Sequence, residues 1–279
     1  MPLPAHHLIA QHVSLALAED IGPCDWTARL IAADKTGAAR VIAREDAVIC
    51  GQAWFDECFR QVDAGCAVEW LAAEGERVEA GRELCRISGP ARALLTAERS
   101  ALNFLQLLSG VASETRRYVD AAAGHRARIL DTRKTVPGLR LAQKYAVTVG
   151  GGANQRIGLF DGILIKENHI MAAGGVAQAM AQAQAGLPPG VTLQIEVESL
   201  PQLEEALSHG AKLVLLDNMS LDDMRRAVEI SAGRAELEAS GGIDLDSVRA
   251  IAATGVDRIS VGKLTKDVRA LDLSMRFTL

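Results

Sequence analysis

The stretch VTLQIEVESLPQLEEALSHGAKLVLLDNM, residues 191–219, carries the grammar of the fold in one unit. VTLQIEVES alternates apolar and polar residues as a strand does, LPQLEEALSHG reads as a helix, and AKLVLLDNM is a second strand. Strands joined through a helix run parallel. The same unit recurs on both sides. ARILDTRKT, DGILIKENH, AELEASGGI and DRISVGKLT are further strands, and LDDMRRAVEISAG and LDSVRAIAATG are further helices. The strand-to-strand repeat is roughly 22 residues, typical of β/α units. These strands number six, and a seventh is expected near the glycines at 150. No G-x-G-x-x-G fingerprint opens any unit, which favours a β/α barrel over an open doubly wound sheet.

Upstream of residue 110 the pattern changes. The N-terminus, MPLPAHHLIAQHVSLALAEDIG, reads as an amphipathic helix, because polar residues break the apolar run that a signal peptide needs. Residues 36–90 read as short strands separated by glycines and charged turns. EGERVEAGRELCRISGP has the glycine spacing of the small β hammerhead found in biotinyl and lipoyl carriers, but its turn holds no lysine to modify, so the element is read as structural. A helix follows, TAERSALNFLQLLSGVASETRRYVDAAAG, with Thr96 expected as its N-cap and Leu102, Leu105 and Leu108 as its buried stripe. Arg99 and Asn103 share another face of it. Asp20 and Asp25 are expected in a turn.

Composition limits what the chain can bind. It has 279 residues, is 49% hydrophobic and 23% charged, and carries a net charge of −5 with only 4% aromatics. That balance counts against nucleic acid, which calls for a basic surface or stacking rings, and against an acidic membrane surface. No run reaches transmembrane length. The five cysteines form no C-x-x-C pair, and their odd number and early clustering suit reduced thiols in a cytoplasmic protein. The six histidines show no metal-ligand spacing; His169, inside LIKENHI, is the one in a motif-like setting.

Alternation assigns faces to the barrel strands. Ile195 and Val197 oppose Gln194, Glu196 and Glu198; Ile163 and Ile165 oppose Leu164 and Lys166; Leu237 and Ala239 oppose Glu236, Glu238 and Ser240. The helix-facing side of a barrel strand must be apolar, so the polar face looks inward. An interior holding Lys166, Glu196, Glu198 and Glu238 is unlike the usual aliphatic filling, and buried charge persists when it is paired or used. Either a structural ion network or an active site follows, and strand-end placement favours the site.

Four signals gather at these strand ends. In ILDTRKTVPG (129–138), Arg133 offers a fork suited to a carboxylate and Lys134 a point charge suited to a phosphate. TVGGGANQRIG adds Arg156 beside Gln155 and Asn154. Glu196 and Asp217 end successive strands and together suit a hard cation such as Mg²⁺. The last two strands end in ASGG and SVGK, the place where many barrels cradle phosphate. The implied ligands are a phosphate, a metal-bound polyanion and a carboxylate-rich molecule.

Over nearly its whole length the chain resembles the quinolinate phosphoribosyltransferase family, the carboxylating nicotinate-nucleotide pyrophosphorylases of NAD biosynthesis. The resemblance rests on TAERSALNFLQLLSG, LDTRKTVPGLRLAQKYAV, GGGANQRIGLFDGILIKENHI, IEVES, LLDNM, EASGGI and SVGKLT. It implies a small N-terminal α/β domain over residues 1–109 and a partly closed seven-stranded barrel over 110–279. It implies a homodimer in which one subunit's N-terminal domain covers the partner's barrel mouth, so that Arg99 reaches quinolinate in trans. Arg133 and Arg156 then bind the quinolinate carboxylates. Lys134 and Lys166 contact carboxylate and phosphoribosyl groups. Glu196 and Asp217 hold the ribose hydroxyls and the Mg²⁺ of phosphoribosyl pyrophosphate, and the loops Ser240, Gly241, Gly242 and Val261, Gly262, Lys263 hold its 5′-phosphate.

Two positions depart from the family pattern. Gln155 stands where the family usually has His before Arg, and Lys266 stands where LTHS is common. Gln keeps a hydrogen-bond donor without charge, and Lys266 still offsets phosphate charge. Other readings are a phosphoribosyltransferase for another base, a Schiff-base aldolase-like barrel with Lys166 as the amine, and a non-catalytic sensor of a phosphorylated ligand.

Overall fold

A computed structural model describes residues 1–278. The chain opens with α1 (His6–Ile21), a 3-10 turn (Ala28–Leu30), β1 (Thr36–Ala43), β2 (Ala47–Val48) and α2 (Gln52–Val62). It continues through β3 (Ala67–Trp70), β4 (Arg77–Val78), β5 (Glu83–Pro90) and the long helix α3 (Ala91–Ala121). Then come β6 (Arg128–Leu130), α4 (Arg140–Val149), β7 (Gly162–Ile165), α5 (Glu167–Ala173) and α6 (Val176–Ala185). The repeat follows as β8 (Thr192–Val197), α7 (Leu200–Ser208), β9 (Leu213–Asp217), α8 (Leu221–Ser231) and β10 (Glu236–Ser240). Last are α9 (Val248–Ala252), β11 (Arg258–Ser260), α10 (Lys263–Lys266) and β12 (Leu273–Thr278). No helix among the described residues is long and apolar enough to cross a membrane.

Two compact units emerge, and they interleave along the chain. One comprises Met1–Arg116, Val136–Gly151 and Asp267–Leu279; the other comprises Arg117–Thr135 and Gly152–Lys266. The segment bearing α4 and the strand β12 belong with the N-terminal elements.

The first unit is built on an antiparallel sheet in the order β12-β1-β5-β3, beside the two-stranded β2-β4. Its core gathers most of the chain's few aromatics. Phe55 tilts against Phe59 with centroids 5.0 Å apart and meets Trp70 edge-on at 5.3 Å. Ile9, Val13 and Leu17 are the buried face of α1, spaced four apart as an amphipathic helix requires. On α3, Leu102, Leu105 and Leu108 are buried as expected, but the helix begins at Ala91. Thr96 is thus not its N-cap; its hydroxyl donates to Asp25 Oδ2 at 2.8 Å. Asp25 also accepts from the Ala28 amide, which places it in the expected turn, whereas Asp20 lies within the last turn of α1. The five cysteines are free thiols, and burial pushes that of Cys58 up to about 12.

The second unit is an all-parallel sheet in the order β6-β11-β10-β9-β8-β7. Register fixes the faces. Glu196 and Glu238 both stand opposite Leu215, and Ser240 stands opposite Asp217. Val197 and Ala239 stand opposite Leu216 on the other face, where all three are fully buried. The seventh strand is reduced to a single bridging residue, Ala153, parallel to Leu130. The adjoining glycines carry no side chains to pack and do not extend the ladder. A six-stranded barrel with a one-residue seventh member replaces the seven strands expected.

Candidate active site

The carboxyl ends of the barrel strands open onto a cavity of about 460 Å³. Lys134, Lys166, Lys263 and Lys266 line it together with the carboxylates Glu196 and Asp217. Four cations against two anions make a site for a polyanion inside a chain of negative net charge. The wall between them is backbone. Ser240, Gly241 and Gly242 close one side, and Gly262 the other. Gly241 has φ +106° and Gly242 φ +61°, conformations that glycine adopts at little cost and that suit a loop whose backbone comes close to a ligand.

Each side chain has a local reason for its position. Lys134 follows β6 in a turn held at both ends: its amide donates to Thr132 Oγ1 at 3.1 Å and its carbonyl accepts from Thr265 Oγ1 at 2.7 Å. Thr265 is fully buried, so the Arg133–Lys134 turn is tied to the loop of Lys263 and Lys266. Val261 is buried and donates its amide to Leu130, supporting that loop from beneath rather than lining it. Lys166 follows β7 directly, as the N-cap of α5, and pairs with Glu196 at 3.3 Å, on the neighbouring strand β8. His169 Nδ1 accepts from the Lys166 amide at 3.0 Å, a helix-start role for α5.

The arginines and Gln155 are set by two buried carboxylates. Asp131, fully buried, accepts from Asn154 Nδ2 at 2.6 Å and from the Gln155 amide at 3.0 Å. Glu238, also fully buried, accepts from Gln194 Nε2 at 2.9 Å on one oxygen and from Gln155 Nε2 on the other. Gln155 is therefore fixed through both its backbone and its side chain. Arg156 donates Nη1 to the Gly162 carbonyl at 2.8 Å, and its Nε is buried with no hydrogen bond among the described residues. Burial first, then the Arg133 guanidinium, hold the Arg156 pKa below its ordinary value. Two like charges brought that close, one of them partly desolvated, make an anion site.

The inward polar face read from the sequence holds for Lys166, Glu196, Glu238 and Ser240. It fails for Glu198. Strand β8 stops at Val197, alternation stops with it, and Glu198 is exposed beside a different cleft that starts α7. Arg99 belongs to the first unit, exposed on α3. Asn218 was not singled out from the sequence, yet it lines the cavity and donates Nδ2 to Asp217 Oδ2 at 2.8 Å. Its signal was an Asn directly after a strand-end Asp, a residue type that tolerates left-handed backbone.

No cluster of three or more metal-ligating side chains occurs among the described residues. Glu196 and Asp217 on the one cavity nevertheless fit Mg²⁺, which is held by one or two carboxylates plus the phosphates of a substrate. Lys166 is engaged as the cation of an ion pair, in a setting unlike the desolvated pocket that activates an amine nucleophile.

The family described as "Quinolinate phosphoribosyl transferase, C-terminal domain" matches residues 111–276, and its N-terminal counterpart matches residues 25–109. A Bacillus subtilis protein named "Probable nicotinate-nucleotide pyrophosphorylase [carboxylating]" is 40% identical, over 94% of this chain and 90% of its own. A Synechocystis protein of the same name is 39% identical, over 98% and 94%. The solved structure of the nicotinate-nucleotide pyrophosphorylase from Francisella tularensis superposes with a TM-score of 0.96. It shares 44% identity and covers 99% of this chain and 98% of its own.

Proposed function

The chain belongs to the quinolinate phosphoribosyltransferase family through both of its matched regions, and from that premise we propose how its site performs the reaction. It transfers phosphoribosyl from phosphoribosyl pyrophosphate to quinolinate with decarboxylation, giving nicotinate mononucleotide, pyrophosphate and CO₂, a step of NAD biosynthesis. The base assignment is carried by the family membership, and it is supported by Arg133 and Arg156, two guanidiniums whose charges act on each other and whose chemistry suits a dicarboxylate. The glycine-rich wall of Ser240–Gly242 and Gly262 supports a role for these loops in holding the 5′-phosphate, with Lys263 and Lys266 offsetting its charge.

Positioning and electrostatics do the work, and no side chain becomes a covalent nucleophile. Arg133 and Arg156 orient the pyridine so that its nitrogen faces the ribose C1. The nitrogen lone pair forms the new bond there, while the C1–O bond breaks and its electron pair leaves with pyrophosphate. Lys134 and Lys166 stabilise the negative charge that collects on the leaving group. Glu196 and Asp217 hold the ribose hydroxyls and offset positive charge developing at C1. Those two carboxylates would hold Mg²⁺, which would supply neutralisation of the diphosphate charge. The pyridinium product then loses the 2-carboxylate as CO₂. The bonding pair remains on C2 next to the cationic nitrogen and takes a proton from water.

Completion of the site by Arg99 from the partner of a homodimer is part of the proposal, supported by its exposure on α3. A cytoplasmic setting fits the free thiols. Turnover with quinolinate, phosphoribosyl pyrophosphate and Mg²⁺, followed by product and CO₂ release beside a nicotinate control, tests the reading. Product from quinolinate alone is expected. Turnover of nicotinate in its place would refute the base assignment.

A further inference from the structure

Among the described residues, two other than glycine have a positive φ: Asn218 at +54° and Ala232 at +45°. Ala232 terminates α8, where a left-handed residue is ordinary. Asn218 terminates no helix. It follows β9 directly, on the wall of the cavity, in a conformation that side chains other than Asn and Asp adopt at a penalty.

Three contacts use that conformation. The Asn218 amide donates to the Ser240 carbonyl at 2.9 Å, although β9 ends one residue earlier. Its side-chain Nδ2 donates to Asp217 Oδ2 at 2.8 Å; a carboxylate only accepts, which fixes which way the amide points. The other end of the amide, Oδ1, then lies against Gly241. A β-carbon on Gly241 would collide with it and would come within 3.1 Å of the Asn218 backbone nitrogen. One side chain thus touches a strand-end acid and the phosphate-loop glycine together.

We propose that Asn218 is a positioning residue that holds the Asp217 carboxylate and the Ser240–Gly242 turn in register for a sugar phosphate. Asp217 meets the hydroxyl side of that ligand and the turn meets its phosphate. This rests on the phosphoribosyl reading above. The chemistry accounts for the residue type. Glycine would adopt the backbone but leave both contacts empty. Aspartate would adopt it too, but would set a second carboxylate against Asp217 in a site for an anion. Asparagine alone combines left-handed tolerance, a neutral donor and a flat tip that fits over a glycine.

The test uses the full-length protein and ribose 5-phosphate as a non-reacting probe, with quinolinate as the control ligand, both by titration calorimetry. In Asn218→Gly the backbone is served but the amide is gone, and ribose 5-phosphate should bind about tenfold more weakly. Asn218→Asp should lose more than Asn218→Gly, because it adds repulsion. Quinolinate affinity and melting temperature should stay near wild type in both. Unchanged ribose 5-phosphate affinity in a folded Asn218→Gly variant overturns the proposal, as does an equal loss for both ligands, which would mark a general structural role. Wild-type protein that fails to bind ribose 5-phosphate would instead overturn the phosphoribosyl reading itself.

Discussion

Replacing Arg156 by Gln separates the anion site from the fold. In the ligand-free protein Arg156 donates one nitrogen to the Gly162 carbonyl and leaves Nε buried without a hydrogen bond. Losing the Gly162 bond costs about 1 kcal/mol. Relief from burying a cation beside Arg133 works in the opposite direction, so the melting temperature should change little. Quinolinate binding has no such compensation. With Nη1 engaged by Gly162, the guanidinium still offers its remaining N–H groups to a carboxylate, in bonds worth about 1.5–3 kcal/mol each. Losing two of them amounts to about 3–6 kcal/mol, or roughly 10²–10⁴ in kcat/KM for quinolinate. Arg156→Lys keeps the charge and loses the fork, so it should fall between. Initial rates at saturating phosphoribosyl pyrophosphate give the number, and ribose 5-phosphate titration gives the control. An Arg156→Gln enzyme retaining more than a tenth of wild-type kcat/KM, or losing sugar-phosphate affinity in parallel, would refute the reasoning.

Asp56 carries a pH dependence of stability. Burial chiefly, with Glu74 adding to it, raises its carboxyl from 3.8 to about 6 against the opposing hydrogen bond from Trp70 Nε1. The folded state therefore holds this proton more tightly than the unfolded chain does. The stability contributed is full below about pH 4 and is lost as pH rises through 6. The full shift corresponds to about 3 kcal/mol, and screening at a part-exposed group reduces it to about 1–2 kcal/mol. Asp56→Asn should thus gain stability over wild type at pH 8 relative to pH 4, in denaturant melts followed by tryptophan fluorescence; a pH-independent difference would sink the assignment. Glu238→Gln keeps the shape but sets an amide N–H₂ against Gln155 or Gln194. The buried donor left unpaired should destabilise the barrel by about 1–3 kcal/mol, seen as a lowered melting temperature. Gly241→Ala combines a φ of +106° with a collision at Asn218, and should raise KM for phosphoribosyl pyrophosphate at least about tenfold while leaving that for quinolinate near normal.

The sequence exposed whatever depends on local periodicity. The two-residue alternation of LQIEV and ELEAS placed Glu196, Glu238 and Ser240 on the inner face, because register preserves alternation across parallel strands. It misled at Glu198, since alternation says nothing about where a strand stops. The long family strings made the reaction legible before any geometry was known. What could not be read was proximity. The approach of Arg133 to Arg156 depends on Asp131 and the Ala153 bridge returning the chain to the end of β6. Thr96 looked like a helix start because Thr is a frequent N-cap, but the preceding residues are helix formers and tertiary packing extended the helix through them. Asn218 was hidden for another reason: its role lies in a backbone angle, and composition does not encode one.

The pairing of β12 with β1 has a consequence for how the molecule is made. Residues 273–278 complete the sheet of the first unit in register with residues 38–43. During synthesis every barrel strand, from residue 128 to residue 260, emerges before that partner exists. Until then β1 is flanked on one side by β5 alone and offers an open row of amides and carbonyls, the kind of edge that recruits other nascent chains. The closing contact joins residues 38–43 to residues 273–278, so forming it carries a large loop-entropy penalty and belongs late in folding. The unit that begins to form first is thus finished last, because residues 38–43 wait for residues 273–278 to be made.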